Sequence, residues 1–503
     1  MIFNKMQTTT RLSLSLACLA ISLTTVNVRA FSLLGPYEPW MTTTNGFQLP
    51  GDIGGPMNLG AEYRWSVPVV TYAFDPSFVE FFGTNGVAAV ENAIQVLNNL
   101  PPASKADLST YPLDTTGLNY SAQAEGLIDL KSETLFLLLQ QLGLAQPQRF
   151  MFCVPEYSVS GGTTNAIVVL RNFDPIYLTA TNVLNGTLFA SNLTWQISGN
   201  NQVDSVAISA FPVDALAPTE TAVADGGIGT EPGAFYTGLT RDDVGGLCYL
   251  LQTNNVYWET LPPDVQSAGA NPSNYVNLAM RAGVDKITFV QTAVDALTGE
   301  FFSPVTNHFT DTYVTNGMMM QQNLERVSVR PDFLFSAADI YDSNAPSVTL
   351  SSSTGTTNWI NTAALYGLPG AAGPGTIQPP VRITFNKLVR RFLTDGHVSD
   401  EVAVDQSQRF GSFDASTNVP IFYPITPTGS APMNVRIWLE IGQVQQYHDW
   451  TASSAVGTPC SMETSTNLTD WVTLFTITNS GSDCTYWVQN PASTARFYHI
   501  VSQ

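Results

Sequence analysis

The chain has 503 residues, 44% of them apolar and only 12% charged; that charged share is about half the ordinary globular one, and the length implies about two or three domains. Forty acidic residues against 20 basic ones give a net charge of −20. An exterior of that sign repels nucleic acid and anionic lipid, which argues against any DNA or RNA role. The carboxylates are scattered, so no divalent-cation site follows from the charge balance.

Residues 1–30 read as a signal peptide: Arg11, then an apolar run from Leu12 to Val26, then Val28-Arg29-Ala30 as a small-x-small cleavage site. The run is too short and too rich in Ser and Thr to span a bilayer. The expected cut falls after Ala30, and the expected location is secreted or cell-surface, periplasmic or extracellular. No later stretch has the length and apolarity of a membrane span, and no anchor signal is read at Ile500-Val501-Ser502-Gln503. Cys18 falls in the leader, leaving Cys153, Cys248, Cys460 and Cys484. An even number in an exported chain reads as disulfides. Sequence separation pairs Cys153 with Cys248 and Cys460 with Cys484, the latter closing a loop of about 25 residues worth roughly 3 kcal/mol. Buried free thiols are the alternative. Zinc is the weaker one, because there is no C-x2-C pair.

Residues 31–60, rich in Gly, Pro, Met and Thr, are expected as an extended arm on the first domain. Val67 to Phe74 is β-branched and aromatic and reads as a buried strand. Val87, Val90, Ile94 and Leu97 form a helical stripe that stops at Pro101-Pro102. A second helix is expected over Leu127–Leu142, crowded with leucine and ended by Gly143 in the C′ position. Strand-like runs follow at Arg149–Val154, Ala166–Leu170 and Val206–Ile208. Thr240 is then a natural N-cap for a third helix, with Asp242 and Asp243 at its positive end. The division expected is an α+β N-terminal domain over 31–263, a mixed middle region over 264–345 and a linker or long loop over 346–380. A mainly-β remainder closes with a C-terminal β-sandwich over 381–503. Its strands are Val381–Phe385, Val435–Ile441, Trp471–Ile477 and Arg496–Val501.

Chemistry is sparse. There is no G-x-S-x-G elbow, Walker loop, dinucleotide fingerprint or H-E-x-x-H. His308, His397, His448 and His499 lack metal-like spacing. Met318-Met319-Met320 is read as packing rather than copper ligation, because consecutive residues do not point one way. Asp225 to Glu231 is an acidic glycine loop with too few carboxylates for calcium. Asn119, Asn185, Asn192 and Asn467 stand in glycosylation sequons.

Trp65, Pro68, Val70-Thr71-Tyr72-Ala73-Phe74 and the Val87–Leu97 helix resemble the opening of matrixin-type (metzincin) zinc proteases. Leu239-Thr240-Arg241-Asp242-Asp243-Val244-Gly245 resembles the segment that closes their catalytic domain. In that resemblance the zinc helix falls on Phe136 to Gln146. Phe136, Gln140 and Gln146 stand where the three histidine ligands would be, and Leu137 where the general base would be. Zinc chemistry needs imidazole nitrogens and a carboxylate beside the bound water, so the resemblance implies a degenerate, pseudoenzyme-like domain. Met462 to Trp471 and the closing Arg496-Phe497-Tyr498 resemble the small β-domain appended to secreted bacterial proteins, which implies export rather than catalysis. The expectation is an exported, non-catalytic structural or binding protein with no cofactor and no catalytic residue of its own. Its partner would be an unidentified extracellular or surface molecule. The alternative is a secreted hydrolase whose site is assembled from residues distant in sequence.

Overall fold

A computed structural model describes residues 30–49, 52–160, 163–197, 203–226, 231–260, 278–295, 298–315, 318–338, 360–361, 381–386, 409–423, 430–441, 444–455, 459–465, 469–478, 484–490 and 497–502. Most of the expected leader and linker, His397, Asn467 and Arg496 lie outside them. Among the described residues there are four α-helices: α1 (Pro76–Asn98), α2 (Tyr120–Ala124), α3 (Leu130–Leu142) and α4 (Arg241–Leu251). Strands are far more numerous, and the class is mixed α and β. No helix among them is long and apolar enough to cross a membrane.

The opening segment departs from the expected arm. β1 (Phe31–Gly35) is buried along its whole length. It pairs with Asn172–Phe173, Leu144–Ala145 and Gly55–Pro56, all antiparallel. Phe31, Leu33 and Leu34 supply apolar surface on both faces, which suits a strand covered on both sides. The rest of the arm is tied down by Arg149, whose guanidinium grips Asp52 at 2.5 and 2.8 Å and also donates to the Gly46 carbonyl.

β2 (Val69–Phe74) forms where the β-branched run predicts it. Asp75 then caps α1 by accepting the Phe78 N–H, with Pro76 in the first turn, where a missing N–H costs nothing. The helix therefore begins well before its apolar stripe. β3 (Leu127–Asp129) occupies three residues expected to be helical. Asp129 ends it and caps α3, and Gly143 closes α3 at φ 110°, as its position predicts.

β2 lies inside a parallel sheet with β4 (Thr288–Gln291) on one side and β5 (Phe333–Ala338) on the other. Beyond β5 comes β6 (Val381–Asn386), also parallel. β7 (Arg409–Ser412) pairs parallel with β3, and Ile360–Asn361 pairs with Tyr63–Arg64. Strands from all four expected segments are thus joined, and this sheet crosses the boundaries at 263, 345 and 380. Asp332 fastens the join: it accepts the Thr71 N–H at 2.8 Å and Thr71 hydroxyl at 3.0 Å. Behind the sheet, Phe74, Phe78, Phe82, Phe335, Phe385, Phe410 and Tyr423 form a chain of ring contacts. One core therefore includes β2, α1 and α3.

The C-terminal strands make two three-stranded sheets. Ser430–Ile441 pairs with Val444–Ala455 and Cys484–Asn490. Pro459–Ser465 pairs with Val472–Thr478 and Phe497–Ser502.

Candidate functional site

The helix with the zinc-helix spacing, α3, is almost wholly inside the protein. Leu135, Leu137, Leu138 and Leu139 are buried, as are Gln140 and Gln141. Its backbone is anchored at the C-terminal end. Trp65 donates its indole N–H to the Gln141 carbonyl at 2.8 Å, and the Leu34 N–H donates to the Gly143 carbonyl at 2.9 Å. Phe136 and Gln140 follow one another at one-turn spacing and so share a side. Gln146 lies past the helix, its amide donating to the Asp225 carbonyl at 3.0 Å and its oxygen accepting from Arg149 at 2.8 Å.

A short turn, Val223–Asp225 followed by Gly226, covers this side. Gly226 sits at φ 70°, and a Cβ there would meet three atoms of the Phe136 ring at 2.6–2.7 Å. Only glycine allows both the backbone conformation and the contact. Asp225 turns inward, its Oδ1 accepting the Gln148 N–H at 2.6 Å. This is the start of the acidic glycine loop, and its carboxylate faces the protein interior. A phenyl ring, an isobutyl group and two carboxamides occupy the four positions Phe136, Leu137, Gln140 and Gln146. They supply neither imidazole nor carboxylate, so the residues present do not fit zinc. Among the described residues, no group of three His, Cys, Asp or Glu side chains is arranged to hold a metal.

α4 holds this turn in place. Thr240 caps it in a full capping box with Asp243. Asp243 also reaches outward, accepting the Val223 N–H through Oδ2 and the Ala224 N–H through Oδ1, both at 3.0 Å. Its neighbour Asp242 accepts the Ala30 N–H at 2.9 Å and the Asn185 N–H at 2.6 Å through Oδ2. The two aspartates expected to favour the helix dipole therefore fix three distant segments: Asp243 the turn over Phe136, and Asp242 both the residue before β1 and the turn at Asn185. Two glycines let α4 lie close against its neighbours. A Cβ on Gly245 would meet Pro175 at 2.8 Å, and one on Gly246 would meet Leu144 at 2.7 Å and Phe31 at 2.9 Å.

Burial governs the ionisation of the acids here. Glu133, in the first turn of α3, is fully buried, and neither carboxyl oxygen has a hydrogen-bond partner. Burial, with Asp129 nearby, pushes its pKa up to about 8. Asp129 is pushed up to about 6 by burial, although the Ser132 hydroxyl and N–H both donate to it. Glu62 rises to about 7 for the same reason. Burial likewise raises Asp225 and Asp243. Carboxyl groups held this way keep their protons to higher pH than in water.

The cysteines correct one expectation. Cys153 and Cys248 are free thiols. Cys153 donates to the Phe150 carbonyl at 3.3 Å, and its pKa is pushed up to about 12 by burial, with Arg171, Glu38 and Arg149 nearby. Cys248 faces another part of the core, beside Asp285, and is pushed up to about 11 by burial. Pairing by elimination counts residues rather than distances, and the two thiols face different surroundings, Cys153 the Phe150 carbonyl and Cys248 the Asp285 carboxylate. Cys460 is buried in the Pro459–Ser465 strand, whereas Cys484 begins a strand of the other C-terminal sheet, its side chain outside the described ones.

Cys248 lines a cavity of about 30 Å³ between α1, α4 and residues 285–289, walled by Leu97, Leu142, Leu247 and Phe289 with Asp285 and Lys286 at hand. That is room for about one water, not a substrate. His308 lies exposed on the Val305–Thr315 strand. Met318 to Met320 open another strand, where successive side chains alternate between faces, and Met319 is exposed. Two sequon asparagines serve the fold instead: Asn119 donates to the Asp414 carbonyl at 2.8 Å and Asn185 to Thr221 and Thr240.

Compared with known protein families, with characterised proteins and with solved structures, the chain finds no match.

Proposed function

We propose that this chain is an exported, non-catalytic binding or structural protein that acts at or outside the cell surface. In this reading the α+β region is a matrixin-like framework without zinc ligands. The two C-terminal sheets are the faces of a small β-sandwich of the kind appended to secreted bacterial proteins. One observation carries the non-catalytic reading: the side of α3 where a zinc helix would present ligands bears Phe136 and Gln140 and is covered by the Val223–Gly226 turn, with Gly226 against the Phe136 ring. A hydrolase assembled from distant residues needs a pocket that brings a carboxylate and a histidine together. The cavity beside Cys248 holds Asp285 and Lys286 and no histidine.

The test is direct. The purified exported chain is dialysed against zinc and then against buffer, and its metal content is measured alongside peptidase activity. The expected result is no stoichiometric zinc and no chelator-sensitive cleavage. One tightly held zinc per chain, or peptide hydrolysis that a chelator abolishes, would overturn the reading.

A further inference from the structure

Charge is spread unevenly along the chain. Between Glu156 and Asp204 only Arg171 and Asp174 are charged, and both are buried. In a chain of net charge −20 this tract is an uncharged stretch of exterior. It contains most of a ribbon in which Phe152–Ser160 pairs antiparallel with Thr163–Leu170. The two strands are protected differently. The first carries Pro155 and Glu156, and its register shifts between Cys153 and Glu156. Proline, charge and bulges all blunt a strand edge. The second has no charge, proline or glycine, and among the described residues it pairs with the first strand alone. Ile167 and Val168 are 52% and 41% exposed. Consecutive residues point to opposite faces, so both faces stand open at this point. The base of the strand is fixed, because Val169 and Leu170 pack against buried clusters. Long edge strands elsewhere carry charge: Asp204 in Val203–Pro212, Glu325 and Arg326 in Met318–Ser328, and Asp449 in Val444–Ala455.

We propose that the outer edge of Thr163–Leu170 joins a second copy of the chain, the two strands running antiparallel across a two-fold axis. This concerns assembly and does not depend on the export reading. About half of the strand's N–H and C=O groups point away from Phe152–Ser160, and a matching strand satisfies them as a ladder. Charge selects the partner. Two chains of net charge −20 repel wherever their acidic surfaces meet, and the repulsion is least at this uncharged edge. A two-fold contact puts the same patch on both sides, so the uncharged edge of one copy meets its equal. Self-pairing also suits side-chain size. With the axis between Ala166 and Ile167, Ile167 of one copy lies opposite Ala166 of the other, and Val168 opposite Asn165. Each exposed apolar side chain then meets a smaller one, and cross-strand neighbours stabilise a sheet. One added strand buries less than a standard interface, so a dissociation constant of about 1–100 µM is expected.

Sedimentation velocity of the full purified chain across that concentration range tests the pairing. A reversible monomer–dimer equilibrium is expected, and a chain that stays monomeric at about 100 µM overturns the proposal. Salt supplies a sign. It screens the repulsion between two acidic chains, so the dimer should tighten severalfold between about 0.02 and 0.3 M salt; loosening overturns an uncharged contact. Val168→Glu should weaken the dimer about tenfold or more, and a dimer indifferent to it overturns the proposal. Val168→Thr stays uncharged and β-branched and should change the constant less than about threefold. The urea midpoint of each variant monitors folding; where Val168→Glu fails to fold, Asn165→Glu, also at an exposed position, takes its place with the same expected loss. The last arm combines Val168→Glu with Asn165→Arg. Three apart on one strand, these positions point to opposite faces and do not meet within a chain, but they face one another across the two-fold axis. A coupling of about tenfold between the two substitutions supports the pairing, and strict additivity overturns it.

Discussion

α3 and α4 begin alike and behave differently. Each is capped by a side chain, Asp129 or Thr240, and each carries acid in its first turn. In α4 the acids meet donors from elsewhere in the chain. Asp243 collects the Val223 and Ala224 amides and Asp242 those of Ala30 and Asn185. In α3 the cap is satisfied within its own turn by Ser132, and Glu133 meets no donor. An acidic side chain in the first turn thus becomes a cross-link in one helix and a buried proton carrier in the other. The deciding factor is whether distant backbone amides arrive. A buried carboxylate is stabilised by several N–H groups and neutralises when it has none.

The sharpest way to break this contrast is at Asp243. Asp243→Ala removes the acceptor for the Val223, Ala224 and Thr240 amides at once. Stranded buried donors cost roughly 1–3 kcal/mol each, so a total loss of several kcal/mol, about 4 or more, is expected in urea unfolding. Asp243→Asn, which keeps one acceptor oxygen, should fall between. A loss under about 1 kcal/mol for the alanine variant would mean that the turn is not held by α4.

A smaller effect is expected where the turn meets α3. Gly226→Ala puts a methyl into the Phe136 ring and an L-residue at positive φ; overpacking of this kind costs about 1–3 kcal/mol. The double variant Gly226→Ala with Phe136→Leu should recover part of it. Strict additivity of the two single effects would show that the ring is not what the turn rests on.

Glu133→Gln tests the other helix and depends on pH. The folded carboxyl, at about 8, holds a proton that the unfolded chain releases near the ordinary glutamate value of about 4.3. The folded state therefore binds more protons between those limits, and stability falls as pH rises across that window. Below it the variant and the parent should melt together within about 2 °C; above pH 8 the variant should melt several degrees higher, about 4 °C or more. Parallel melting curves across pH 4–9 would show that Glu133 ionises without cost.

Local structure was largely legible in the sequence, and long-range structure was not. The β-branched run ending at Phe74, the Thr240 cap and the Gly143 stop all appear where short-range chemistry predicts them, because each depends on residues within a turn or two. The start of α1 was hidden because its signal is the cap Asp75 with Pro76 rather than the apolar stripe. The parallel partners of β2 have no local signature, since a fully buried parallel strand is a short apolar run like many others. The roles of Asp242 and Asp243 were concealed by an adequate local explanation, the helix dipole. A doublet of aspartates directly before Val244-Gly245-Gly246 was the one available sign that backbone would come close. Phe136, Leu137, Gln140 and Gln146 could be placed in sequence, but the turn that covers them comes some eighty residues later.

The strand order also governs the time course of folding. β2 emerges with residues 69–74, yet its parallel neighbours begin at residues 288 and 333. A chain delivered from its amino end must hold Val70 and Tyr72 in waiting while more than half its length follows. Pairing at such separations is slow, because loop closure precedes any gain from contact. Until β5 arrives, the aromatic side of β2 and α1 is open to other chains. Dilution and slow synthesis should therefore raise the yield of folded protein more than any change in its final contacts.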